Sequence, residues 1–277
     1  MIRAALIQLC ASDDPQANLP ITLDMIRDAA AQGADLIVTP EVTNCVSTSR
    51  GHQASVLVEQ ADDLTLRAIC NLAKDRSVWI VIGSLALASG DNDGRFVNRS
   101  FLVGPDGVVK AWYDKIHMFD VTINEREQYR ESAAYRPGNR AVVAQTDVAA
   151  IGLSICYDVR FPALYQTLAR GGAQIITIPA AFSPVTGAAH WESLLRARAI
   201  ETGAFILAPA QVGDHELAEG RPRQTHGHSL AIDPWGRVLC DAGQAIGVNI
   251  VDLDLSKVKD ARKSLPTLSQ HRDYRAP

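Results

Sequence analysis

The sequence predicts an α/β fold with four layers, in which two β-sheets pack face to face and helices cover their outer faces. Short apolar strand patterns alternate with helix patterns along the 277 residues, which is the order of βα units. The chain is 47% hydrophobic and 21% charged, so it can bury a large core without disulfides. The second half repeats the first in order, which indicates one helix-covered sheet in each half.

The first half opens with a strand and a helix. Residues 3–9 form an apolar strand pattern, and apolar residues recur at helical spacing from Leu19 to Ala30 before Gly33 ends the helix. Further patterns predict a strand, a helix and a strand at residues 35–39, 64–74 and 78–82.

A hairpin and a long loop complete the first half. The turn sequence GPDG at residues 104–107 separates strands at 96–103 and 108–112, as tight hairpin turns do. Residues 114–140 are polar and irregular. Loops of this length in compact domains are commonly functional.

The second half indicates an internal duplication. A strand, helix, strand, helix, strand and hairpin recur at residues 149–156, 163–170, 174–178, 190–202, 204–208 and 229–240. The string GADLIVTP at 33–40 matches GAQIITIP at 172–179, and SFLVGPDG at 100–107 matches SLAIDPWG at 229–236. Two matches in the same order favour a duplicated unit. With no Pro-, Ser- or Gly-rich linker between the halves, we expect a single domain over residues 1–277, with a tail from about 265.

Composition excludes several classes of protein. The net charge of −4 argues against a general nucleic-acid-binding surface, and no apolar run approaches the length of a membrane span. The polar residues that follow the first strand argue against a signal peptide. Five scattered cysteines without CxxC spacing indicate a reducing cytoplasm rather than a disulfide framework.

Cys156 is the strongest candidate nucleophile. It ends a buried strand in the string SICYDVRFP at residues 154–162. A nucleophile at such a turn is exposed at the sheet edge, beside a backbone N–H that can face an oxyanion. The alternative is that Cys156 is a small buried hydrophobe, as we expect for the other four cysteines.

Glu41 and Lys115 are the charged candidates. Glu41 follows the strand at 35–39, where α/β sheets place their ligand crevices. Burial there would raise the pKa of the Glu41 carboxyl and suit it to act as a base. Lys115 follows the hairpin in the string WYDKIHMFD, and its ammonium could stabilise an oxyanion and lower a thiol pKa. The alternatives are a solvated loop glutamate and a lysine paired with Asp114.

The histidines offer no obvious base for Cys156. His226 and His228 flank Gly227 on one face of a predicted strand. They could hold a metal, but no third ligand lies nearby in the sequence.

Taken together, Pro40-Glu41, Asp114-Lys115-Ile116-His117 and SICYDVRFP resemble the nitrilase superfamily of carbon–nitrogen hydrolases, over essentially the whole chain. Glu131, sixteen residues after Lys115, looks like the family's second glutamate. The resemblance implies an αββα sandwich, with Glu41 as general base, Cys156 as nucleophile and Lys115 stabilising the tetrahedral intermediate. Glu131 would orient the substrate or support Lys115. The implied reaction passes through a thioester and needs no metal or organic cofactor.

Two further segments resemble the amidase branch of this family. They are TGAAHWE at 186–192 and LRARAIE at 195–201, and this branch contains omega-amidase and deaminated glutathione amidase. PAQ at 209–211 and GHS at 227–229 resemble the latter more closely. We therefore expect hydrolysis of a small carboxylate-bearing amide such as deaminated glutathione. The alternatives are omega-amidase activity on α-ketoglutaramate, another branch acting on N-carbamoyl compounds, aliphatic amides or nitriles, and a non-catalytic binding scaffold.

The expected substrate-binding residues are Tyr157, Arg160 and Phe182. Arginines in the loop that carries Glu131 could also hold a substrate carboxylate, namely Arg126, Arg130 and Arg136. The alternative is that the arginines pair with Asp158, Glu125 and Glu127. Relatives that resemble this chain pair through the helix at 190–202 and the tail, so we expect a homodimer or a higher even oligomer.

Overall fold

A computed structural model describes residues 1–122 and 128–270, together with Arg272 and Arg275. The predicted carboxylate ligand Arg126 and the acidic residues Glu125 and Glu127 lie outside the described residues.

Sixteen strands are described within these ranges. In chain order they are β1 (Ile2–Gln8), β2 (Leu36–Val38), β3 (Trp79–Ala88), β4 (Phe96–Val103), β5 (Val109–Asp114), β6 (Asp120–Thr122), β7 (Gln128–Arg130), β8 (Val142–Gln145), β9 (Ala150–Leu153), β10 (Ile175–Thr177), β11 (Phe205–Ala208), β12 (Val212–His215), β13 (Arg223–His226), β14 (Leu230–Ile232), β15 (Val238–Asp241) and β16 (Gly247–Leu253).

The helices are α1 (Pro15–Ala31), α2 (Arg50–Val56), α3 (Leu64–Arg76), α4 (Pro162–Arg170), α5 (Pro184–Thr202) and α6 (Ser256–Ser264), with 3₁₀ turns at Glu131–Ala133 and Cys156–Arg160. Helix α5 begins six residues before the predicted position, because Pro184 occupies its first turn, where a missing N–H is harmless. In the described part of the chain, no helix combines the length and apolarity needed to cross a membrane.

Two six-stranded sheets share one topology. Their strand orders are β16-β1-β2-β3-β4-β5 and β15-β14-β11-β10-β9-β8. In each sheet, three successive strands are parallel (β1, β2, β3 and β9, β10, β11) and their flanking neighbours are antiparallel. The match in order and direction agrees with the duplication predicted from the repeated strings.

The alternation of side chains along each strand produces the four layers. Successive side chains of a strand point to opposite faces of its sheet. In β1, Leu6 joins the core cluster that contains Ile151 of the second sheet, whereas Ile7 packs with Ile26 of α1 and Ile69 of α3. The predicted αββα sandwich is therefore confirmed.

Candidate active site

The candidate residues meet where strands of both sheets end. Glu41 follows β2, Lys115 follows β5, and Cys156 follows β9. Gly83 makes this convergence possible. A Cβ atom placed there would lie 1.9 Å from the Thr39 carbonyl oxygen and 2.5 Å from Cβ of Pro179. A glycine at this position therefore lets the two strand ends approach each other closely.

Cys156 lies on a strained turn. Its φ of +47° falls in the left-handed region, which non-glycine residues rarely adopt. The Cys156 N–H donates to the Pro179 carbonyl oxygen at 2.9 Å, and the Ile155 N–H donates to the Asp158 carboxylate at 2.9 Å. Backbone contacts on both sides thus hold the thiol in place.

Asp158 connects the cysteine turn to the segment that carries Lys115. Its fully buried carboxylate accepts from the Tyr113 hydroxyl at 2.7 Å and from the His117 N–H at 3.1 Å. The His117 ring contacts the same carboxylate at 2.7 Å and stacks on Phe161. A single carboxylate therefore sets the relative position of the two segments.

Lys115 is held by two carboxylates. Its ammonium donates to Glu41 Oε1 at 2.9 Å and to the two Glu131 oxygens at 2.9 and 3.0 Å, and the residue is only 2% exposed. Glu41 also accepts from Asn98 Nδ2 at 2.9 Å and from the Ala181 N–H at 2.8 Å. The Glu41 carboxylate is thus fixed by three nitrogen donors.

The pKa of Glu41 is lowered rather than raised. Burial acts to raise this pKa, but the charge and hydrogen bond of Lys115, with the donors Cys156 and Ala181, together outweigh it. The sequence-based expectation of a raised pKa is therefore wrong, because an opposite charge at hydrogen-bond distance outweighs the effect of desolvation.

The pKa values of Cys156, Lys115 and Glu131 are raised, in the direction opposite to that of Glu41. Burial and the Glu41 charge hold the pKa of Cys156 well above its ordinary value, although Lys115 acts to lower it. The pKa of Lys115 is also raised, since Glu131 and Glu41 outweigh its burial, and burial raises that of Glu131. The predicted effect of Lys115 on the thiol pKa is thus present but outweighed, and the resting site holds a neutral thiol beside an ionised Glu41.

These groups form one end of a cavity of about 380 Å³. Tyr157 and Phe182 line its wall, as do Glu41, Lys115, Glu131 and Cys156. Arg160 is not among the lining residues; it lies over the Phe182 ring with Nη1 3.3 Å from His190 Nδ1. Arg136 lines a separate cavity and pairs with Asp91.

Several cavity residues were missed by the sequence analysis. They are Asn98 and the arginines Arg50, Arg221 and Arg223. A polar asparagine within the apolar pattern of β4 was a usable signal for Asn98. Nothing local distinguishes the three arginines from ordinary surface residues.

The described residues contain no group of three or more His, Cys, Asp or Glu side chains that could hold a metal ion. The His226 and His228 rings stack, and His228 contacts Asp241.

The sequence profile of the carbon–nitrogen hydrolase family matches residues 3–263. The chain belongs to this family. A deaminated glutathione amidase of Yersinia enterocolitica is 40% identical over 270 residues, which cover 97% of this chain and 92% of that protein. The geometry of the site thus belongs to a carbon–nitrogen hydrolase.

Two solved structures share the fold of this carbon–nitrogen hydrolase. Nit3 of Saccharomyces cerevisiae, a member of branch 10 of the nitrilase superfamily, has a TM-score of 0.85 at 27% identity and covers 98% of this chain and 97% of its own. An amidase variant from Nesterenkonia sp. AN1 has a TM-score of 0.77 at 27% identity and covers 96% of this chain and 98% of its own. That structure shows Michael addition of acrylamide at its active-site cysteine, which fits a cysteine-based mechanism for the family.

Proposed function

We propose that this hydrolase cleaves the amide bond of a small carboxylate-bearing amide, such as deaminated glutathione, through a thioester on Cys156. The proposal is carried by one observation: Cys156 and Glu41 line the same cavity, beside a lysine whose ammonium is held by the Glu41 and Glu131 carboxylates. The likeness to the Yersinia enterocolitica amidase supports the substrate class.

In the proposed acylation step, Cys156 attacks the amide carbonyl while Glu41 accepts the thiol proton. A raised thiol pKa and a lowered carboxyl pKa mean that this proton leaves only as the S–C bond forms, with Glu41 as general base. Lys115 and the N–H of Tyr157 stabilise the oxyanion. Protonated Glu41 then gives its proton to the departing amine, and the C–N bond breaks to leave the thioester.

In the proposed deacylation step, water attacks the thioester carbonyl. Glu41 accepts a proton from this water, the tetrahedral intermediate collapses to the free acid, and the Cys156 sulfur leaves and is reprotonated by Glu41. Glu131 is proposed to keep Lys115 charged and aimed at the carbonyl, since it holds the ammonium with both oxygens. Tyr157 and Phe182 are proposed to pack against the substrate.

We expect a carboxylate-bearing amide to be preferred over a neutral amide of similar length. The cavity has arginines on its wall, and an arginine can hold a carboxylate through two parallel hydrogen bonds. The expected ratio of kcat/KM is about 10- to 100-fold. The measurement is release of product acid from a panel that contains deaminated glutathione, α-ketoglutaramate, an N-carbamoyl amino acid, a neutral aliphatic amide and a nitrile.

The same panel separates the alternatives. Faster hydrolysis of α-ketoglutaramate than of deaminated glutathione would favour an omega-amidase, and a preference for a neutral amide or a nitrile would contradict the carboxylate class. Turnover of none of the compounds would favour the binding scaffold.

We also propose that the chain forms a homodimer or a higher even oligomer. Three large apolar side chains on neighbouring segments support it: Ile200 is 51%, Trp235 62% and Leu265 53% exposed. Arg196 bonds to Gly236 and Thr267 to Glu201, which brings α5, the β14–β15 turn and the tail together. Light scattering at micromolar concentration should give an even multiple of the chain's mass, and Trp235→Glu should lower the measured mass. A monomer mass for the unaltered chain would contradict the proposal.

The chain is proposed to act in the reducing cytoplasm as one domain of residues 1–277. All five cysteines are free, and a thiol nucleophile must stay reduced to act. The core cluster with residues of both sheets supports the single domain.

A further inference from the structure

In the described part of the chain, the wall of the catalytic cavity carries arginines that form no salt bridge with a carboxylate, although the nearby Asp120 charge acts on Arg130. These arginines are Arg50, Arg130, Arg221 and Arg223. Within the described ranges, each donates only to neutral oxygens. The acidic side chains among the lining residues are Glu41 and Glu131, and Lys115 engages both. The wall outside the catalytic cluster is therefore complementary to an anion.

Arg223 is the innermost of these arginines. It is half-buried, whereas the other three are exposed. Its Nη2 donates to the Ala181 carbonyl oxygen at 2.6 Å and its Nη1 to the Tyr129 hydroxyl at 2.9 Å. These two contacts fix the plane of the guanidinium, and its remaining N–H donors are available to a ligand.

The same contacts connect Arg223 to the catalytic end of the cavity. The N–H of Ala181 donates to Glu41 Oε2 at 2.8 Å, so one residue joins the guanidinium to the carboxylate beside Cys156. A substrate group held by Arg223 would thus have a defined position relative to the thiol, and positioning of this kind accelerates attack.

We propose that Arg223 is a specificity-determining residue that holds a carboxylate of the amide substrate, while Arg50 and Arg221 attract the anion at the rim. This inference rests on the proposed function, because it takes acyl transfer to Cys156 as given. The planar fork of arginine binds a carboxylate through two parallel hydrogen bonds, which a lysine cannot reproduce.

The test compares kcat/KM for deaminated glutathione with that for a neutral amide of similar length. In Arg223→Gln, the ratio of the two values should fall about 10- to 100-fold, mainly through KM for the carboxylate substrate. Arg223→Lys keeps the charge but lacks the planar guanidinium, so its ratio should fall by less than that of Arg223→Gln. The fall should still be at least about threefold. Arg136→Gln is the matched control: this arginine lies outside the catalytic cavity and pairs with Asp91, so its ratio should stay at the wild-type value.

The neutral amide has no carboxylate for Arg223 to bind. A loss of its kcat/KM would therefore report a disturbance of Glu41 transmitted through Ala181. An equal loss on both substrates, or an unchanged ratio in folded Arg223→Gln, would overturn the role of Arg223. If circular dichroism shows that Arg223→Gln is unfolded, an unchanged ratio in folded Arg223→Lys would overturn it instead. Wild-type enzyme that cleaves no amide would contradict the proposed function itself, which is a different outcome.

Discussion

Replacing Cys156 with alanine is expected to abolish amide hydrolysis and leave the fold intact. The loss should be on the order of 10⁵- to 10⁶-fold in kcat, as for removal of other covalent nucleophiles. Of the other four thiols, Cys45 lines the cavity but is buried with its pKa raised to about 12. Cys10, Cys70 and Cys240 are not among the lining residues, so none offers a ready substitute. Alanine keeps the Cβ atom and removes only the Sγ atom, and the backbone hydrogen bond from residue 156 to Pro179 does not depend on the side chain, so the variant should stay folded.

The measurement is product acid over long incubations, together with the mass of the protein after mixing with substrate. Wild-type enzyme should show a transient acyl adduct that Cys156→Ala lacks. Cys240→Ala is the matched control, because this half-buried thiol is not among the residues that line the cavity. Substantial activity in purified Cys156→Ala would contradict the thioester mechanism.

Replacing Glu41 with glutamine is expected to lower kcat about 10²- to 10⁴-fold, which is the usual contribution of a general base. Glutamine keeps the shape of the side chain but cannot accept the thiol proton. Acylation and deacylation should both slow, because one carboxylate serves each step. Glu59→Gln, at an exposed position, should keep wild-type rates.

The pKa of Cys156 provides an independent readout of the same variant. The Glu41 charge helps to raise the thiol pKa, and Lys115 acts to lower it. Glu41→Gln removes the first effect and keeps the second, so its thiolate should form at lower pH than in wild-type enzyme, as followed by ultraviolet absorbance. The variant should thus hold a more acidic nucleophile and still react more slowly. A change in KM alone would make Glu41 a binding residue.

Glu41 and Cys156 were predictable as candidates because each lies at the end of a short apolar strand, and Lys115 because it follows the predicted hairpin. Glu41 and Lys115 belong to one sheet and Cys156 to the other, so the packing of the two sheets is what brings these residues together. Glu131 follows no such pattern. It lies in a short 3₁₀ turn of the long loop, and only the family resemblance singled it out.

The direction of the Glu41 pKa shift depends on the distance between Glu41 and Lys115, which no local sequence pattern contains. Burial alone would raise the pKa of Glu41, which is what its place after a buried strand suggested. The ammonium of Lys115 at 2.9 Å reverses that direction. Because Coulomb energies depend on separation and local dielectric, the sign of the shift follows from the folded arrangement.

The amino-acid pattern alone specifies the strands and helices of the βα units, the duplication and the candidate nucleophile, because periodicity and turn residues act over a few neighbours. The tertiary structure decided the pairing of β16 with β1 and the place of Arg223 on the cavity wall. Such contacts join segments far apart in the chain, and which side chains meet is settled by how whole layers pack.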